Sequence, residues 1–87
     1  MTKIELLKNL ETLEALERKA DEAEATWTAD PMSTEKENFF DLCYEKEYNQ
    51  FEAVANGIVN FTNGKINFPT AREMIRTRRK ELVAILS

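Results

Sequence analysis

Apolar side chains recur along this chain at helical intervals. Leu6, Leu13, Leu16, Ala20, Ala23 and Trp27 form one seam with Leu10 widening it, and Phe40, Tyr44, Glu47, Phe51, Val54, Ile58 and Phe61 form a second at alternating steps of four and three. A third stripe centres on Ala71, Ile75, Leu82 and Leu86, with Met74, Val83 and Ile85 at its margins. Each run opens on a threonine followed three residues later by a glutamate: Thr2/Glu5, Thr34/Glu37 and Thr70/Glu73. This is the capping-box pattern, in which hydroxyl and carboxylate each satisfy a free backbone N–H. The pattern predicts three helices, at about 2–27, 34–62 and 70–86.

The first two seams have equal length, from 6 to 27 and from 40 to 61, and are separated by Thr28-Ala-Asp-Pro-Met-Ser33. Pro31 disfavours helical geometry at Asp30, so the chain should turn there. Folded back antiparallel, Trp27 meets Phe40, Ala23 faces Tyr44, and Leu16 and Leu13 face Phe51 and Val54. Small residues then oppose large ones, as close packing requires. The expected fold class is all-α: a single domain, 1–87, with a long antiparallel helical hairpin and a shorter third helix packed across it. An aromatic seam this long exceeds what a short third helix covers, so an exposed apolar strip and a protein contact are expected, a symmetric dimer being the simplest.

Residues 57–68, Gly-Ile-Val-Asn-Phe-Thr-Asn-Gly-Lys-Ile-Asn-Phe, admit a second reading. Asn63-Gly64 suits a type I′ turn that would pair Val59 and Phe61 with Ile66 and Phe68, giving an α+β fold with a β-hairpin at about 58–68. The helical spacing runs through Ile58 and Phe61 unbroken, however, and Asn63-Gly64 equally suits a helix stop with glycine at C′. Gly57 is the weak point of that helix, costing about 1 kcal/mol relative to alanine.

Charge changes this picture more than composition does. The chain is acidic, with 16 acidic and 12 basic side chains, but residues 1–64 hold 14 acids and 6 bases while residues 65–87 hold 2 acids and 6 bases. The acidic excess disfavours non-specific adhesion to nucleic acid or anionic lipid. No stretch approaches the length of a membrane span, and no uninterrupted apolar run follows the N-terminus, so a cytoplasmic location without membrane insertion is expected. The single cysteine, Cys43, precludes an intramolecular disulfide.

The residue inventory argues against an enzyme. There is no histidine, which removes the commonest general base and transition-metal ligand. Cys43 has no histidine to activate it and lies on a broad apolar face, so it reads as a buried thiol. Two glycines are too few for a phosphate-binding loop, and the carboxylate pairs Glu35/Glu37 and Glu45/Glu47 diverge on a helix. No catalytic, cofactor-binding or metal-binding residue is assigned. Glu47, on the seam between Tyr44 and Phe51, reads as a polar residue that sets register. Tyr44 and Tyr48 read as amphipathic packing residues.

The third helix carries the candidate partner-binding residues. Arg72, Arg76, Arg79 and Lys80 fall in one stripe beside the apolar face, with Arg78 on the other flank. Such a stripe could grip phosphates, or pair internally with the acids of the first two helices. Arg79 is expected to reach Glu52.

The segment Asn63-Gly-Lys-Ile-Asn-Phe-Pro-Thr-Ala-Arg-Glu-Met-Ile75, followed by Arg78-Arg79-Lys80-Glu81-Leu82, resembles the final helices of small accessory proteins of phages and prophages of Gram-positive bacteria. It also resembles the last helices of bacteriocin immunity proteins, which are cytosolic antiparallel bundles. The likeness covers about a quarter of the chain. It implies a small helical protein that binds or inhibits a macromolecular partner, with immunity-like protection as the alternative; the charge segregation adds a third class, nucleic-acid binding by the basic helix or DNA mimicry by the acidic hairpin.

Overall fold

A computed structural model describes residues 2–87, which fold as four helices: α1 (Lys3–Ala29), α2 (Thr34–Phe61), α3 (Phe68–Thr77) and α4 (Arg79–Leu86). No strand occurs among the described residues, so the fold is all-α and the β-hairpin at 58–68 does not form. The third predicted helix is instead two.

The long hairpin forms and turns where Pro31 predicts, but Ala23 packs with Cys43 and Phe40, and Tyr44, its expected partner, is exposed. Asp30, ahead of Pro31, leaves the helical region (φ −141°, ψ 73°), and its N–H closes on the carbonyl of Trp27. Ser33 N–H donates to the Asp30 carbonyl at 3.1 Å, completing the turn. Across it, the rings of Trp27 and Phe40 stack at 5.5 Å with 14° between their planes. Of the three predicted capping boxes only the first forms: the Thr2 hydroxyl accepts from Glu5 N–H at 3.2 Å, and Thr2 N–H donates to the Glu5 carboxylate at 3.4 Å. Ser33, not Thr34, caps α2, accepting from Lys36 N–H at 3.3 Å. Asn67 caps α3 by accepting from Thr70 N–H at 2.9 Å, which places Pro69 in the first turn, where a missing N–H is harmless.

The end of α2 is a Schellman motif displaced one residue from the expected stop. Asn63 N–H donates to the Asn60 carbonyl and Gly64 N–H to that of Val59. The left-handed C′ position is therefore Asn63 (φ 52°), with Gly64 (φ 80°) following at C″. The same Asn-Gly pair that suits a hairpin turn thus ends a helix. Thr62 ties the exit together, its hydroxyl donating to the Ile58 carbonyl at 2.8 Å and accepting from Ile66 N–H at 3.2 Å.

The break between α3 and α4 falls on Arg78 (φ −133°, ψ 42°). Just before it, the Thr77 hydroxyl donates to the Glu73 carbonyl, a bond that Thr12 and Thr26 also make within the unbroken α1. The bend redirects the chain from α2, against which α3 packs, towards α1. From there α4 runs back along α1, beginning with Arg79 beside Glu17 and ending where Lys3 Nζ donates to the Ser87 carbonyl.

All four helices share one core. Leu6, Leu10 and Leu13 of α1 meet Phe51, Val54, Ala55 and Ile58 of α2, Ala71, Met74 and Ile75 of α3, and Leu82 and Leu86 of α4. Nearer the loop the hairpin is alone, and its core shrinks to Ala20, Ala23 and Cys43 with Phe40 packed against them. The result is elongated, 47 Å by 20 Å by 18 Å. A four-helix base carries a two-helix arm.

Candidate functional site

The bend at Arg78 divides the predicted basic stripe. Arg72 and Arg76 stand on α3, and Arg79 and Lys80 on α4. The Arg72 guanidinium lies 5.6 Å from the ring centres of both Phe51 and Phe68, and that of Arg76 lies 4.9 Å from Phe51. Each such contact is worth about 0.5–1 kcal/mol at a partly exposed site. Arg72 also approaches Glu52 of α2 at 3.8 Å. The expected partner of Glu52 was Arg79, which is committed elsewhere.

Arg79 makes a two-pronged contact with Glu17 of α1, Nη1 to Oε1 at 2.6 Å and Nη2 to Oε2 at 3.0 Å. Its Nε donates to the Ile75 carbonyl at 3.0 Å, holding the side chain against the bend. The bend is what aims α4 at α1, so Glu17 replaces Glu52 as the acid within reach. The Glu17 fork and burial act in opposite directions on the Arg79 guanidinium, and the fork prevails, raising its pKa. Of the four stripe residues, Arg76 and Lys80 are exposed with no ion pair among the described residues, and Lys80 has no ring contact either.

Beyond Arg79 the groove between α1 and α2 lies open. A cleft of about 440 Å³ is lined there by Glu14, Glu17, Arg18, Asp21, Glu47 and Arg79. Burial, reinforced by the charges of Glu17 and Asp21, pushes the Glu47 carboxyl above the usual carboxylate range, against the pull of Arg79. The seam position of Glu47 therefore places it at a junction between base and arm.

The arm presents a surface that residue-by-residue reading of the seams did not locate. Tyr44, a predicted seam residue, is 55% exposed, and Tyr48 is 45% exposed. Phe61, at the other end of the seam, is also exposed. Tyr44 precedes Phe51 by seven residues, which on a helix leaves it within about 20° of the same direction. Phe51 is 6% exposed because α3 covers it. Neither α3 nor α4 covers Tyr44, whose ring lies 6.2 Å from that of Phe40 on the same helix. The signal available in the sequence was length: α3 and α4 have 10 and 8 residues, against 27 and 28 in the hairpin helices. Phe39 and Leu42, 49% and 47% exposed, lie on other sides of α2, and Lys19 of α1 sits over the Phe39 ring at 5.9 Å.

Cys43 is buried in the arm against Ala20 and Ala23. Among the described residues, no three His, Cys, Asp or Glu side chains converge as metal ligands. Among the described residues, no helix is long and apolar enough to cross a membrane. Comparison with protein-family models, with curated proteins and with solved structures found no match.

Proposed function

We propose that this protein is a non-enzymatic binding protein whose arm engages a macromolecular partner. One observation carries the reading: α3 and α4 cover the base of the hairpin and leave Tyr44 and Tyr48, on the continuation of the same face, in solvent. Large aromatic side chains at the centre of an open face are the residue type that dominates protein interfaces, because they bury much area at little cost in side-chain freedom. A phage or prophage setting rests on the sequence resemblance alone. Phosphate binding by the basic stripe receives less support, since Arg72, Arg76 and Arg79 are held against Phe51, Phe68, Glu52 and Glu17.

The test is capture from host extract on immobilised protein, with a Tyr44→Ser/Tyr48→Ser variant of unchanged helical content beside it. A protein retained by the native arm and lost with the variant is the expected result. Partners retained equally by both, or none at all, would remove the arm from consideration as a binding surface.

A further inference from the structure

The covered half of the hairpin displays what covers this surface. There, short helices lay Arg72 and Arg76 over the Phe51 ring and clamp Glu17 with Arg79. One heptad towards the loop the same groove repeats its chemistry without a cover: Tyr44 occupies the direction of Phe51, and Glu24 that of Glu17. Between them lie Asp21 and Glu47 of the cleft, with the buried Ala20 beneath, while Tyr48 extends the aromatic face one turn along α2 on the side away from α1. The groove is an aromatic strip whose rim carries Glu14, Glu17, Asp21 and Glu47 against one cation without an ion pair among the described residues, Arg18.

We infer that the arm takes an arginine-bearing amphipathic helix of a partner protein, laid between α1 and α2 in line with α4. This rests on the proposed binding role and names the chemistry of the partner. Its apolar stripe would pack on Tyr44 and Tyr48, and its arginines would reach over the rings and onto Asp21, Glu24 and Glu47. The α1 segment beyond Glu17 runs twelve residues to Ala29, or about 18 Å, which sets the docked helix at about three turns. Charge selects this occupant over a second copy of the arm. Residues 14–48 hold 11 acids and 4 bases, so two arms face to face would bring like charges together, and a nucleic-acid backbone would be repelled for the same reason.

The probe is a labelled helical peptide of about fifteen residues, with arginines flanking a leucine stripe, beside a twin in which every arginine is glutamate. Fluorescence anisotropy at low salt should show the arginine peptide binding and the glutamate twin not. Tyr44→Ser and Glu24→Lys should each weaken binding by about tenfold, while amide signals of residues 20–24 and 44–48 shift and those of α3 and α4 stay in place. Absence of arginine-peptide binding, or binding that neither substitution weakens, would overturn the inference. So would an arm-dependent partner recovered from extract that docks through a neutral or acidic segment, which would leave the binding role itself standing. Loss of the binding role shows differently, as extract capture indifferent to Tyr44 and Tyr48.

Discussion

Arg79 and Glu17, 62 residues apart in sequence, are joined by two parallel hydrogen bonds of 2.6 and 3.0 Å. This contact fixes where α4 begins along α1 and where the covered base of the hairpin gives way to the open arm. Planar, two-pronged pairing is a property of the guanidinium that an ammonium cannot reproduce.

Arg79→Ala should therefore lower stability by about 1–2 kcal/mol, a value reduced from that of a buried charged pair because both side chains remain partly in water. Arg79→Lys should recover less than half of the loss, since it keeps the charge but not the fork or the Nε bond to Ile75. Urea unfolding of the two variants, and of a double-mutant cycle with Glu17→Gln, measures the coupling. A coupling near zero would show that the pair is only a surface contact.

Phe51 joins the core to the cation contacts of α3. Phe51→Ala removes a buried ring from among Val54, Ala55, Met74 and Ile75 and strips Arg72 and Arg76 of the face they cover. The expected loss is about 3–5 kcal/mol, a large part of the stability of a domain this size. Tyr44→Ala, one heptad away on the same face, should cost under about 1 kcal/mol, because its side chain is already more than half exposed and touches only the Phe40 ring among the aromatics. Thermal and urea midpoints of the two variants should differ accordingly.

That contrast marks the limit of what periodicity reveals. The Trp27–Phe40 stack and the buried Leu13, Phe51 and Val54 were legible because seam spacing and seam length are properties of the chain itself. Tyr44 satisfies the same spacing as Phe51, so its exposure depends on where α3 stops. The bend at Arg78 was not legible either. Ile75 and Leu82 are seven residues apart and would share one face of an unbroken helix, and no glycine or proline marks the break. What breaks it is tertiary: buried positions of α3 face α2, while α4 lies against α1. On a continuous helix the basic stripe is unbroken and Arg79 points to Glu52; the bend divides the stripe and brings Arg79 to Glu17. The shifted caps at Ser33 and Asn67 have a simpler origin, since two cap-competent residues stand near each helix start and local chemistry does not choose between them.

At the α2 exit, Gly64 stands at φ 80°, and a Cβ built there would meet no heavy atom within 4 Å. Gly64→Ala should thus show the conformational cost alone, about 1–2 kcal/mol. Asn63→Gly should leave stability unchanged or slightly raised, because asparagine already tolerates the left-handed region it occupies. A loss in Asn63→Gly as large as that in Gly64→Ala would indicate that the asparagine side chain, and not backbone conformation alone, holds this turn.

The arm should open more readily than the base. Its interior consists of Ala20, Ala23, Cys43 and Phe40, with Trp27 stacked at the tip, so little apolar area resists local separation of the helices. In native-state hydrogen exchange, amides at 20–26 and 40–46 should exchange at lower protection than those of Leu10, Leu13, Val54 and Ile58. Uniform protection along α1 and α2 would mean that the hairpin opens only as a whole. An arm that is the less stable part is also the part a docked helix would rigidify, and the difference should shrink in a complex.

Glu47 supplies the pH dependence. Its folded carboxyl titrates above its unfolded value, chiefly through burial and then through Glu17 and Asp21, with Arg79 opposing. Between the two values the folded chain holds the extra proton, so this group's contribution to stability falls as pH rises through that window, and the penalty is complete above it. Glu47→Gln removes the penalty while keeping the shape. At pH 7 the variant should be as stable as the native protein or more so, by about 0.5 kcal/mol at most, because the site is largely open to solvent and the charges there are screened. Below about pH 4, where the native carboxyl is protonated in both states, the advantage should vanish. Midpoints measured across pH 4–8 give the sign directly. A variant less stable than the native protein at pH 7 would show that the attraction of Arg79 outweighs the crowding of carboxylates, and that Glu47 belongs with Glu17 as an anchor for α4.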